Sequence, residues 1–99
     1  MLVKRLDKAG NLLNLDETKR IKSGLVVLNP TQEVGSHITE NREEVIIILE
    51  GSATVEIEGE GSQEVKGGHL VYIPHNVRHN VKNVSNIILR YIYLVSLNN

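Results

Sequence analysis

Three side chains in this sequence are of the types that hold a divalent cation: His37, Glu44 and His79. Neutral imidazoles and a carboxylate are donors that a borderline divalent cation selects. Glu44 follows His37 across the turn-like Glu40-Asn41-Arg42. In an antiparallel hairpin two such positions come opposite each other and point the same way. His79 opens a later segment, after Pro74-His75-Asn76-Val77. Taken singly, a histidine on a strand is more often a hydrogen-bonded wall residue than a ligand. Spacing by itself therefore makes these three a weak signal.

The neighbouring polar residues have two readings each. His75, on the turn before His79, lines the mouth of a pocket or swings in as a fourth ligand. Glu43 alternates with Glu44 and should be solvated. His69, beside Gly67-Gly68, reads as a surface or edge histidine. Arg90 is the odd charge in an apolar segment. It binds a ligand carboxylate if its face is inward, or pairs across an interface if it is not.

The elements that must position these residues are strands. From about residue 20 the chain is rich in Val and Ile, in runs of four to eight residues between turn residues. We expect strands over 20–28, 35–39, 43–50, 53–58, 62–66, 69–73, 78–84 and 87–97. Asn29-Pro30 ends the first of these, because proline fixes its φ and lacks a donor. Gly51-Ser52 suits a two-residue hairpin turn, and Gly59-Glu60-Gly61 and Lys66-Gly67-Gly68 suit further tight turns. Residues 1–19 form a lead-in, with a short strand at Val3 to Leu6 and a helical turn or loose stretch over Leu12 to Lys19. The pattern predicts one all-β domain, a sandwich or barrel.

Composition bounds the function. The chain has 99 residues, 40% apolar and 23% charged, enough for one core and too apolar for a disordered tail. It has no cysteine, which excludes disulfides, thiolate metal sites and cysteine nucleophiles. The net charge is −1, and the only aromatic residues are Tyr72, Tyr91 and Tyr93. That combination argues against a nucleic-acid partner. The basic run Lys19, Arg20, Lys22 reads as a solvated strand or turn. No apolar run approaches a membrane span and no signal peptide is evident, so a cytoplasmic protein is expected. Asn83-Val84-Ser85 fits a glycosylation acceptor, which has no meaning without secretion.

Two segments break the alternation expected of a strand with one wet face: Val45 to Leu49, and Ile87-Ile88-Leu89 continuing through Ile92 to Val95. Either the N-terminal segment covers the outer face or a second subunit does. A homodimer is the expectation, since a chain this short has little spare material.

Two longer frames surround the candidate ligands. His37-Ile38-Thr39, four residues, Glu44, six residues and Gly51 form the first; Gly68, five residues, Pro74-His75-Asn76, two residues, His79, three residues and Asn83 form the second. These spacings resemble the two motifs of the cupin family, over roughly residues 24 to 95. Thr39 stands where the family's first motif has a second His, and Asn76 where the second motif has Gly. Asn is the residue best able to share glycine's positive φ, so the turn is kept. The resemblance implies a jelly-roll β-barrel (a double-stranded β-helix), an architecture that fits the strand count. It maps the family's metal ligands onto His37, Glu44 and His79, with Thr39 at the remaining ligand position, where water or a ligand oxygen would sit.

What the barrel does is left between classes. One is an enzyme in which a divalent ion acts on a small oxygen-rich substrate. Another is a binding module, with or without metal, that holds a small molecule in the same pocket. A third is a structural or partner-binding barrel. Fold alone does not choose among them.

Overall fold

The structure, a computed structural model, describes residues 1–97. Nine strands form two antiparallel sheets, and no helix occurs among the described residues. The strands are β1 (Gly10–Leu13), β2 (Ile21–Leu28), β3 (His37–Ile38), β4 (Glu44–Glu50), β5 (Ser52–Ile57), β6 (Gly61–Lys66), β7 (Leu70–Ile73), β8 (Arg78–Lys82) and β9 (Leu89–Ser96). One sheet has the order β1-β2-β9-β4-β7 and the other β3-β8-β5-β6. This is the jelly-roll β-barrel expected from the sequence.

Alternation fixes what lies between the sheets. Ile46, Ile48, Ile73 and Leu89 are at most 1% exposed and pack with Ala53, Val55 and Val81 from the opposite sheet. Burying side chains of this kind contributes about 1.5–3 kcal/mol each, before the entropy of ordering them.

Several turns differ from the sequence expectation. The only consecutive strands joined as a tight hairpin around the predicted glycines are β5 and β6, through Glu58–Glu60. Gly51 is no hairpin turn, because β4 pairs with β7 and β9 whereas β5 pairs with β6 and β8. The chain there crosses from one sheet to the other. A side chain at Gly51 would collide with the Ile88 carbonyl, so the position needs glycine for space as well as for its φ of +89°. Lys66-Gly67-Gly68 is a second such crossing.

The lead-in also differs. Val3 to Leu6 is not a strand; Gly10–Leu13 is, antiparallel to β2. A single turn follows, in which the Asn14 carbonyl accepts from the amides of Glu17 and Thr18. Arg90 faces away from the barrel interior, donates to the Leu6 carbonyl at 2.7 Å and pairs with Glu50 at 3.1 Å. It ties the N-terminal segment to the outer face and does not reach the cavity. Leu25 shares that outer face with Ile92 yet is 2% exposed. At the far side of the same sheet, Leu70 and Tyr72 on β7 stay open, at 62% and 50%.

Candidate metal centre

The two histidines and the glutamate come together, by a route that the sequence pattern did not give. His37 and Glu44 are not hairpin partners. His37 on β3 is directly opposite His79 on β8, with ring centroids 4.3 Å apart, while Glu44 begins β4 in the other sheet. The site is assembled across the barrel, and one potential donor atom from each residue lies within 4.8 Å of the others.

Each imidazole is oriented from behind. His37 Nδ1 lies 2.8 Å from the Gly35 carbonyl, and His79 Nδ1 lies 3.2 Å from the Val77 carbonyl. A carbonyl oxygen can only accept, so in both rings Nδ1 carries the proton. In the neutral ring the lone pair is then on Nε2, which is how ligating histidines are commonly prepared. Among the described residues, His79 Nε2 is buried without a hydrogen-bond partner, and the Glu44 carboxylate oxygen Oε1 is 3.5 Å away. That distance is too long for an ordinary hydrogen bond. A buried acceptor left this way is costly, and a cation between the two groups would satisfy both. The donor set therefore fits a divalent ion.

The loops that frame the site hold each other. Asn76 has a φ of +61°, as its place in the second frame implied. Its side-chain oxygen accepts from the Asn41 amide at 2.9 Å, and its own amide donates to the Thr39 carbonyl at 3.1 Å. This clamp presents Thr39, whose hydroxyl donates to Glu44 Oε1 at 3.3 Å. Asn83 closes the second frame from within. It is 1% exposed, its amide nitrogen donates to the carbonyls of Leu28 and Ile87, and its oxygen accepts from Ser85. That is a structural clamp between β8 and the start of β9.

Charge in the site is coupled. Glu44 raises the His79 pKa above the usual imidazole value, outweighing burial, which lowers it; the Val77 carbonyl adds to the rise. Burial pushes the phenols of Tyr91 and Tyr93 up, and the Glu44 charge adds to both. They stay protonated donors.

A cavity of about 690 Å³ opens in front of the three residues. Thr39, Lys22, Arg42, Tyr91 and Tyr93 contribute to its lining. His75 does not: it is exposed on its turn and belongs neither to the lining nor to the cluster. His69 and Glu43 are exposed as expected, Glu43 accepting from the Tyr72 hydroxyl. Several residues of the cavity were missed, among them three polar ones on strands. Tyr91 and Tyr93 lie in the stretch expected to be covered by a second subunit or the N-terminal segment, and Lys22 was part of the basic run read as solvated. Period-two alternation finds all three, since Lys22 shares a face with Val26 and Leu28, and Tyr91 with Leu89 and Val95.

The comparisons with known proteins agree with this fold. The chain is similar in structure to an RmlC-like cupin protein from Methanocaldococcus jannaschii, at 26% identity and a TM-score of 0.77, covering 91% of this chain and 78% of that one. It is similar in fold to a predicted oxalate decarboxylase from Thermotoga maritima, at 23% identity and a TM-score of 0.82, covering 91% and 79%. The cupin domain of Schizosaccharomyces pombe Cnp3 has the same fold, at 16% identity and a TM-score of 0.82, covering 99% and 69%. No curated protein matches the chain significantly. The family model for the cupin domain matches residues 24–95, which include both frames and every residue of the His-Glu-His cluster. The chain belongs to the cupin family.

Proposed function

We propose that this small cupin binds one divalent metal ion through His37, Glu44 and His79, and that it binds or acts on a small oxygen-rich molecule in the cavity in front of them. The observation that carries this reading is the buried, unpartnered Nε2 of His79, aimed at Glu44 from a ring whose other nitrogen is held by Val77. When bound, the ion supplies Lewis acidity toward an oxygen of the ligand. The chain's own part is to orient the two imidazoles through Gly35 and Val77, to hold the carboxylate through Thr39, and to present the phenols of Tyr91 and Tyr93 as donors.

Metal analysis of freshly purified protein, with melting curves in added Zn, Mn, Ni and Fe(II), tests the reading. We expect one ion per chain or a clear rise in melting temperature with at least one of the four, because an ion that binds only the folded state stabilises it. No metal and no shift would overturn it.

A second reading is a metal-free cupin that uses the cavity as a binding site. It is favoured by one contact: Glu44 Oε1 already accepts from Thr39, so the carboxylate has a partner without an ion. We also propose a homodimer. Leu70 and Tyr72 support it, because they form an open apolar stretch on the outer face of the edge strand β7. Sedimentation equilibrium at micromolar concentration should show a dimer, and a clean monomer would contradict this.

A further inference from the structure

We propose that the cavity takes a small carboxylate, and that Lys22 is the residue that reads its charge. The proposal rests on the cavity being the ligand site of the reading above. Strand β2 pairs with β9 without irregularity, setting Lys22 against Val95, Val26 against Tyr91 and Leu28 against Leu89. The β9 partners all face the interior, so Lys22 does too. The other basic residues on described strands are Lys66, Arg78, Lys82 and Arg90, and their register places them on the outward faces. Lys22 is therefore the single basic side chain that a described strand turns inward.

Lys22 is exposed at the barrel opening, where its ammonium can meet the charge of a ligand in the cavity. Lys82 and Arg90 have Glu56 and Glu50 as ion-pair partners. Among the described residues, the Lys22 side chain makes no ion pair or hydrogen bond, and neither does that of Arg42 at the same cavity. The acidic residues of the lining are Glu40 and Glu44. The two cations balance them, so a bound divalent ion leaves the cavity positive and suited to an anion. Among the described residues, the hydroxyls of Tyr91 and Tyr93 have no hydrogen-bond partner, and they add neutral donors. One ammonium and a phenol match a carboxylate. Phosphate, which the same cations attract, is the competing anion that the test sets against it.

The test uses the full chain, in metal-free and Zn-loaded form, at low ionic strength. Malonate, its neutral analogue malonamide and inorganic phosphate are titrated in turn by calorimetry. Malonate should bind about tenfold more tightly than malonamide, and more tightly than phosphate, in both forms. Lys22→Gln should remove most of that preference and leave malonamide unchanged, while Lys22→Arg keeps much of it. Lys19→Gln, a control for general surface charge, should change nothing. Equal binding of malonate and malonamide, equal effects of the two Gln variants, or tighter binding of phosphate would each overturn the proposal. If Zn does not bind but malonate still senses Lys22, the metal reading fails and this proposal is supported. If Zn binds and the cavity ignores ligand charge, this proposal alone fails.

Discussion

Tyr93 lies across the backbone of Gly24, its register partner on β2, so closely that a Cβ at position 24 would meet the ring and its oxygen at 2.7 Å. The φ of Gly24 is outside the left-handed region, so the glycine is there for space. It provides the slot that seats the phenol at the edge of the cavity.

Gly24→Ala should push the Tyr93 ring out of this slot and destabilise the protein by about 1–3 kcal/mol, the range for overpacking. Urea unfolding measures it. Tyr93→Val alone should cost less in the Gly24→Ala background than in wild type, because the clash is then gone. Additive losses would mean the two residues are not coupled.

Thr39→His places an imidazole at the position where this chain departs from the family's motif. Thr39 already reaches Glu44 Oε1, so a ligand side chain there is within range of the same centre. Metal affinity should rise by about tenfold or more, since a preplaced donor replaces water at small ordering cost. Competition with a metal-sensitive dye would show it. Equal affinities would place residue 39 outside the coordination sphere.

The pH dependence has two opposite signs. In the metal-free protein the His79 pKa is raised by Glu44, so this contact stabilises the fold fully below the ordinary imidazole pKa and is lost as pH rises through the raised value. Metal needs the deprotonated ring, so its stabilisation grows over the same rise. The melting shift produced by a fixed metal concentration should therefore increase from mild acid to mild alkali. A shift that does not vary with pH would remove His79 from the ligand set.

Local pattern carried most of the strands and failed on their partners. The Val45 to Ile48 run marks β4 wherever it pairs, and Asn76 adopts positive φ because few other residues can. Whether Gly51 turns β4 back on itself or passes it to the other sheet depends on contacts with Ile88, nearly forty residues on. The same non-local pairing set His37 opposite His79, with Glu44 reaching both from the other sheet. β1 was missed since Gly10–Leu13 has no β-branched residue to mark it. Lys22 was hidden by its basic neighbours, whose charges mask the alternation that turns it inward.

The central claim is that His37, Glu44 and His79 hold one metal ion together. Its most direct test is a calorimetric titration of Zn, Mn, Ni and Fe(II) into metal-free wild type, His37→Ala, Glu44→Ala and His79→Ala, each first shown to be folded by circular dichroism. Wild type should bind one ion per chain, and each substitution should abolish that binding or weaken it severely. A wild type that binds none of the four, or variants that bind as wild type does, would contradict the account.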